Sequence, residues 1–120
     1  MANGTHVGIA AFLAEEYRAA SLAEASGRVE RAWHHLERAH IVAQILLWPH
    51  CQSHWRMLGL ALRQRDWREA TGQIARLTLA PLGNLTGRLP VGNTGRSDVS
   101  AFVCMEIPSD LREVLGSTLD

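Results

Sequence analysis

The chain has 120 residues, which suits a single domain built around one modest core. Its 12 arginines balance 12 acidic residues, and a net charge of zero without a basic patch argues against nucleic acid as a partner. No apolar run is long enough to span a bilayer, and the first residues lack the order of a signal peptide, so we expect a cytoplasmic protein. Every basic residue is arginine, which indicates a GC-rich, bacterial coding bias rather than a function.

Four helices are predicted over residues 8–80, because apolar residues recur there at steps of three and four. Ser26–Gly27 interrupts the pattern and can cap the second helix. Pro49 suits the first turn of the third helix, where its missing N–H is not needed. Asp66, followed by Glu69 three residues later, is a capping-box pattern that starts the fourth helix.

The apolar stripes also predict the core and the fold class. The expected core positions are Ile9, Phe12, Leu13 and Ala20 in the first helix, Val29, Trp33, Leu36, His40, Ala43 and Leu47 in the second, Cys51, Trp55, Leu58 and Leu62 in the third, and Trp67, Ala70, Ile74 and Leu77 in the fourth. A weak internal repeat, Gly27–Ala32 against Arg65–Ala70, is similar to tetratricopeptide units, whose period is about 34 residues. We predict an all-α fold: two antiparallel helical hairpins with tetratricopeptide-like packing over residues 1–82.

Residues 83–120 are predicted to form an irregular segment that packs on this helical core within a single domain. The segment is rich in Gly, Pro, Asn, Thr and Ser, as in Pro90–Gly95, and these are the residues of turns. Val99–Met105 is expected to be one short extended segment, and Asp110–Leu115 a last helical turn or two. The content of Leu, Val, Phe and Ile argues against disorder and favours a segment that wraps over the helices.

Three histidines bracket the predicted junction between the second and third helices. Positions 40 and 54 are symmetric about Leu47, so His40 and His54 should face each other across an antiparallel hairpin that turns there. His50 lies four residues before His54, one helical turn away on the same face. Two histidines at this spacing are a common way for a helix to supply metal ligands, and His40 adds a third.

Two carboxylates and a thiol are further candidate ligands. Glu37 precedes His40 by three residues, the Glu-x-x-His spacing of di-iron helical bundles. Glu16 falls within the apolar stripe of the first helix, where a bare carboxylate is costly, and its partner position across the hairpin is close to Glu37. Cys51 would be a softer ligand. The predicted metal ligands are therefore His40, His50 and His54, with Glu37, Glu16 and Cys51 as secondary candidates.

A combined pattern runs along most of the chain: Leu36–His40, His50, His54–Leu58, Arg63–Asp66 and Pro90–Gly95. Over residues 27–110 this pattern resembles a family of short bacterial proteins known only as a domain of unknown function. The resemblance implies a cytoplasmic helical protein. Members of that family are often encoded beside heavy-metal resistance and cation-efflux genes, which lends weight to metal binding but transfers no activity.

These features predict a transition-metal-binding protein with a role in metal homeostasis or resistance. Three imidazoles suit Zn, Cu(II), Ni or Co, and added carboxylates shift the choice towards Fe or Mn. A structural cluster of polar histidines is the plain alternative. A small metal-dependent enzyme is another, and it needs a pocket over the site with the Gly92–Gly95 turn at its rim.

The remaining alternative is a helical-repeat interaction module without chemistry, which binds a protein partner or a second copy of itself. An exposed apolar groove with scattered histidines would favour that module. A separation of about 3–4 Å between nitrogens of His40 and His54 would favour metal binding.

Overall fold

The computed structural model describes residues 2–116, and within them the side chains from residue 8 onward. Its regular structure consists of five helices: α1 (Ala2–Ala25), α2 (Val29–Ala43), α3 (Leu47–Arg63), α4 (Trp67–Thr86) and α5 (Ser109–Leu115). Residues 2–116 contain no strand, so the predicted all-α class is confirmed. Within the same range, no helix has both the length and the apolar character needed to cross a membrane.

The helices pack as two hairpins. Helix α1 lies along α2, α3 lies along α4, and contacts between α2 and α3 join the two pairs. The short α5 packs on α1 and α2. This arrangement brings the end of α2 beside the beginning of α3, where the three histidines lie.

Helices α1 and α3 end in the same kind of turn. At the end of α1, Gly27 is left-handed (φ 76°), and the Arg28 N–H donates to the carbonyl of Ala23 at 2.8 Å. At the end of α3, Arg65 takes the left-handed position (φ 55°), and the Asp66 N–H donates at 2.9 Å to the carbonyl five residues earlier. Both are Schellman motifs, which satisfy free carbonyls of a helix's last turn. The internal repeat found in the sequence falls on these two turns.

The predicted helix starts have different outcomes. The prediction that Ser26–Gly27 caps α2 is wrong, because Gly27 is used to end α1 and Arg28 precedes α2 without a side-chain hydrogen bond. Pro49 lies in the first turn of α3, as predicted. Asp66 caps α4, since its Oδ1 accepts a hydrogen bond from the Glu69 N–H at 3.1 Å. The Glu69 carboxylate does not complete a capping box; it is buried and bonded elsewhere.

The predicted core is largely correct in the first hairpin and partly wrong in the second. Buried positions in α1 and α2 include Ile9, Leu13, Ala20, Trp33, Leu36, His40 and Ala43. The positions predicted as core but found exposed are Leu47, Trp55, Leu62, Trp67 and Ile74. Instead, α3 and α4 bury four polar side chains: Ser53, His54, Glu69 and Gln73. Buried polar groups need hydrogen-bond partners. The partners of these side chains lie in the interior, so the polar face of α3 and of α4 points inward.

Helix α4 extends beyond its predicted end. It passes through Pro81 and stops at Thr86, where Gly87 takes a left-handed conformation (φ 72°). Val99–Met105 is not one extended segment, because Val99 lies in a bend and Ala101 and Phe102 lie in a turn, and the stretch forms no strand. Helix α5 covers the predicted last helical turns and buries Leu111.

The loop between α4 and α5 is organised by one side chain. Nδ2 of Asn93 donates to the carbonyls of Ser100 and Val103, both at 2.8 Å, and its Oδ1 accepts the Gly95 N–H at 2.9 Å. These bonds replace the backbone ladder that a strand would supply. Asn93 is 2% exposed, so the loop folds around it.

Asp66→Ala should lower the stability of the protein, because the Glu69 N–H loses its acceptor. We expect a loss of about 1 kcal/mol in the free energy of unfolding, or about 4 °C in the melting midpoint for a domain of this size. Thermal and chemical denaturation followed by circular dichroism measure the change. Asp66→Asn is the matched control, since asparagine caps helices equally well. Equal losses in the two variants would contradict the cap.

Candidate metal centre

Three histidine side chains from two helices meet in the interior. His40 lies in the last turn of α2, His50 in the first turn of α3, and His54 one turn further along α3. Nε2 of His54 lies 3.1 Å from Nε2 of His40 and 3.2 Å from Nε2 of His50. One ligand atom from each lies within 4.8 Å of the others, and all three residues are buried. The structure therefore brings together the three residues predicted as primary ligands.

The other ring nitrogen of each histidine is held by an oxygen atom. The acceptors are the backbone carbonyl of Asn93 for His40 (2.8 Å), Oδ1 of Asn84 for His50 (2.7 Å) and Oε1 of Gln73 for His54 (2.8 Å). Carbonyl and amide oxygens accept but never donate, so each Nδ1 carries the proton and donates it. The neutral imidazoles consequently direct unprotonated Nε2 atoms towards one another.

The orientation of both amide side chains follows from their other hydrogen bonds. Nδ2 of Asn84 donates to the carbonyl of Gln44 at 3.0 Å, and Nε2 of Gln73 donates to the carbonyl of Gly95 at 2.9 Å. Since these carbonyls can only accept, the amide oxygen must be the atom that faces the histidine in each case. The network therefore determines the tautomer of each imidazole.

The buried carboxylate of Glu69 holds the Gln73 side chain in place. Oε2 of Glu69 accepts hydrogen bonds from Nε2 of Gln73 at 2.8 Å and from the Ser97 N–H at 2.9 Å, and Arg96 lies beside the carboxylate. Burial by itself raises the pKa of Glu69, but the hydrogen bonds and the Arg96 charge outweigh it and hold the pKa below its ordinary value. The ionised carboxylate fixes the Gln73 amide and, through it, the ring of His54.

Burial keeps the three histidines neutral near pH 7. Desolvation is the largest cause that lowers the pKa of His40 well below its ordinary value and the pKa of His54 to about 4. The pKa of His50 is lowered as well, again mainly by burial. Repulsion from neighbouring rings and from Arg76 adds to the shifts of His40 and His54. A proton shared within the cluster is thus disfavoured at neutral pH.

Gly95 allows the loop to approach the ring of His40. Its φ is 85°, and a Cβ at this position would lie 2.6 Å from Cγ of His40. Neither this backbone conformation nor this distance tolerates a side chain. The turn at Gly92–Gly95 is therefore part of the site, with Asn93 supplying the acceptor for His40.

The spacing of the Nε2 atoms fits a tetrahedral metal ion. With metal–nitrogen bonds of about 2.0–2.1 Å, two ligands of such an ion lie about 3.3 Å apart. The two separations that involve His54 are 3.1 and 3.2 Å, and the three ligand atoms all lie within 4.8 Å of one another. The lone pair on Nε2 of His54 repels those of its two neighbours at this distance, and a cation placed among the three nitrogens turns the repulsion into attraction.

Glu16, a secondary candidate, lies elsewhere in the first hairpin. Its Oε2 is 2.6 Å from Nδ1 of His35, and its Oε1 accepts a hydrogen bond from Nε of Arg38 at 2.9 Å. These neighbours flank the expected partner position across α1 and α2, but they are a histidine and an arginine rather than Glu37. The buried carboxylate is therefore stabilised by the Arg38 charge.

Glu37 and Cys51 also stand outside the three-histidine group in the described part of the chain. Desolvation raises the pKa of Glu37 to about 6; Arg96 opposes the shift, and neighbouring acidic groups add to it. Cys51 follows His50 by one position, which turns it about 100° away around the helix. Burial raises the pKa of its free thiol, which disfavours the thiolate form that binds metals. The structure does not bring these secondary candidates to the histidines.

A cavity of about 320 Å³ adjoins the three histidines. Asn93 and Gly95 line it, so the turn expected at the rim of a pocket does occupy that place. The remaining walls come from α4 and the loop after it, and are mostly apolar, as at Leu79, Leu82, Leu89 and Phe102. An ion held by the histidines would therefore border a space large enough for a small molecule.

The fold and the site define a small helical protein with a buried three-histidine cluster. The model of a family described as "Protein of unknown function (DUF3703)" matches residues 8–115, and the chain belongs to that family. No curated protein and no solved structure matches the chain. The family description names no activity, so the function must be argued from the site.

Sequence reasoning missed the acceptors that orient the histidines, namely Gln73, Asn84 and Asn93. One signal was available on α4, where Gln73 follows Glu69 by four residues. This spacing lets two polar side chains bond along one face of a helix, as they do here at 2.8 Å. A polar pair beside the buried Ala70 indicates that this face meets another polar group.

Glu37→Gln should stabilise the protein at high pH and not at low pH. The folded pKa of about 6 lies above the ordinary value of 4.5, so the folded state holds this proton more tightly than the unfolded state. Protonated Glu37 therefore contributes stability that is fully present below pH 4.5 and is lost as the pH rises through 6. Glutamine stays neutral, so the variant should melt above the parent at about pH 7.5 and with it at about pH 4.5.

Thermal melts across this pH range test the prediction for Glu37, with Glu106→Gln at an exposed position as the matched control. A Glu37→Gln variant that melts below the parent near pH 7.5 would show instead that the ionised carboxylate is a favourable partner in the folded state.

Proposed function

We propose that this protein binds one divalent transition-metal ion through Nε2 of His40, His50 and His54, and that it acts in metal homeostasis or resistance. The observation that carries the proposal is the convergence of three Nε2 atoms whose Nδ1 partners are all oxygen acceptors. Histidines that ligate metals commonly donate the opposite N–H to a carbonyl or carboxylate in this way.

A metal-free role for the cluster explains the geometry less well. A structural cluster of histidines gains stability from hydrogen bonds between the rings, but no Nε2 here has a proton to donate. One added proton would supply such a bond, yet burial lowers the pKa of every ring. A divalent cation satisfies all three lone pairs at once. Burial and a rigid set of acceptors also favour retention of one ion over transient contact.

The donor set narrows the choice of metal. Three neutral imidazoles without a carboxylate or thiolate suit Zn(II), Co(II), Ni(II) and Cu(II) better than Fe(II) or Mn(II), which favour added oxygen ligands. The Nε2 spacing of 3.1 and 3.2 Å fits tetrahedral coordination, which zinc prefers. We therefore propose zinc as the first metal to test.

A second function, that of a small metal-dependent enzyme, is favoured by the adjoining cavity. Catalytic zinc sites have three protein ligands and leave the fourth position to water or substrate. An ion on these three histidines would have this number of ligands and a neighbouring space for a molecule. In such an enzyme the metal would lower the pKa of a bound water and so supply a nucleophile near pH 7.

The first experiment is metal content by elemental mass spectrometry, on protein purified without a histidine tag. We expect close to one ion per chain in the parent, and loss of that ion in a His40→Ala/His54→Ala variant that remains helical by circular dichroism. His34→Ala is the matched control, because this exposed histidine lies outside the cluster. A parent protein that holds no metal, and that gains no thermal stability from Zn, Cu, Ni, Co, Fe or Mn, would refute the proposal.

A second experiment tests the acceptor of His50. Asn84→Leu removes the oxygen that holds Nδ1, so the ring can rotate or change tautomer, and we expect metal affinity to fall roughly 10- to 100-fold. Asn84→Asp keeps an acceptor and should retain or strengthen binding. Both variants lose the bond to the Gln44 carbonyl, so their difference isolates the acceptor. Competition titrations against a chelator measure the affinities, and equal losses would argue that Asn84 acts only in folding.

A further inference from the structure

We infer that the cavity beside the three histidines is a binding site for a small organic carboxylate. One carboxylate oxygen would take the open position of the metal, and the other would accept a hydrogen bond from the guanidinium group of Arg76, which lines the cavity. The inference rests on the proposed metal site and adds to it the chemical class of the molecule that reaches the ion.

The positive charge around the cavity favours an anionic ligand. Three neutral imidazoles leave a divalent ion with its full charge of two. The cavity lining adds Arg76 and Arg88 and contains no acidic side chain. Arg88 is exposed, and Arg76 has Glu69 and Asp98 nearby, but the ion itself would meet no negative charge in the lining, so a bound anion would lower the free energy of the site.

Arg76 uses only two of its five N–H groups in hydrogen bonds within the described part of the chain. Its Nη2 donates to the carbonyl of Val99 at 2.6 Å, and its Nη1 donates to the carbonyl of Gly72 at 3.2 Å. Its Nε is buried and has no hydrogen-bond partner within the described part of the chain. Leaving a buried donor unsatisfied is unfavourable, and two carbonyls already hold the guanidinium in place. The guanidinium is therefore fixed at the cavity wall, and Nη1 and Nη2 each keep one N–H that no hydrogen bond of the described residues uses.

The number of available contacts selects the head group. A carboxylate has two oxygens, which match one metal position and one N–H donor. The further oxygens of a phosphate group would have to turn to Arg88, which is exposed, because the other walls are mostly apolar. Arginine recognises carboxylates well because its N–H groups are planar and permanently charged.

The apolar walls select the rest of the molecule. Leu79, Leu82, Leu89 and Phe102 line the space around the polar floor. A volume of about 320 Å³ is near the lower end for small-molecule sites, so a short aliphatic chain or a single ring fits and a larger compound does not. Benzoate and butanoate are suitable probes, with benzyl alcohol and butanol as neutral controls of similar shape.

The experiment uses the full chain loaded with Co(II), whose visible absorption reports on the ligands of the ion. Benzoate or butanoate should change the spectrum saturably, with a Kd in the millimolar range or below, and neither alcohol should change it. If Co(II) fails to bind, the metal proposal and this inference fall together. If Co(II) binds through the histidines but the carboxylates leave its spectrum unchanged, this inference is refuted and the metal proposal stands.

Two variants identify the contacts. Arg76→Gln should weaken benzoate binding roughly 10- to 100-fold, as expected for loss of a charged hydrogen bond, while the affinity for Co(II) is retained or rises, because a neighbouring positive charge is removed. Arg68→Gln removes an exposed arginine of α4 that does not line the cavity, and serves as the matched control. An unchanged Kd for benzoate in Arg76→Gln would exclude the proposed contact.

Phe102→Ala tests the apolar wall in case Arg76→Gln disturbs the loop. The Phe102 side chain is 79% exposed, so its loss should leave the fold intact. It should weaken benzoate binding several-fold and leave acetate binding unchanged, because only the larger molecule reaches the wall. Equal effects on acetate and benzoate would contradict this placement of the ligand.

Discussion

Repulsion between three unprotonated imidazole nitrogens is the constraint around which the interior of this protein is arranged. In water such rings would turn away from one another or take up a proton. Here an oxygen holds each Nδ1–H, and burial opposes protonation. The oxygens come from α4 and from the loop after it. Segments that contribute no histidine therefore determine the orientation of the imidazole rings. The Glu69 carboxylate extends this control by a further bond, through Gln73 to His54.

The same constraint explains why the second hairpin departs from an ordinary amphipathic pattern. Helices α3 and α4 bury His54, Gln73 and Glu69 and expose Trp55 and Trp67. On apolar area alone, the tryptophans would occupy the interior. The hydrogen-bonded chain takes that place instead, because its side chains bond to one another and to the backbone of the loop, at the Gly95 carbonyl and the Ser97 N–H. The fold therefore gives up apolar burial in one hairpin to build a polar interior.

Local spacing made part of this structure predictable. His50 and His54 are one helical turn apart, and His40 is symmetric to His54 across a short connection, so helix geometry alone groups the three. Their acceptors lie 53, 34 and 19 positions away along the chain, and no local pattern reports bonds of that kind. For Glu16 the hairpin register pointed to the correct stretch of α2, but the bonds go to its neighbours His35 and Arg38 and not to Glu37. A difference of one residue along α2 therefore decides whether the Glu16 carboxylate meets a positively charged side chain or another acid.

Asn93 bonds both to the histidine cluster and to the loop that lines the cavity, so it links the candidate metal site to the candidate ligand site. Its backbone carbonyl accepts the His40 proton, and its side chain ties down Ser100 and Val103, which flank the part of the loop that lines the cavity. An event that tightens one attachment acts on the same residue as an event at the other. Coupling of this kind is reciprocal: a cavity ligand would alter the affinity for the ion by the same factor as the ion alters the affinity for that ligand. If the proposed ion and carboxylate both bind, the affinity for the ion would depend on the concentration of the carboxylate, a heterotropic effect within one small domain.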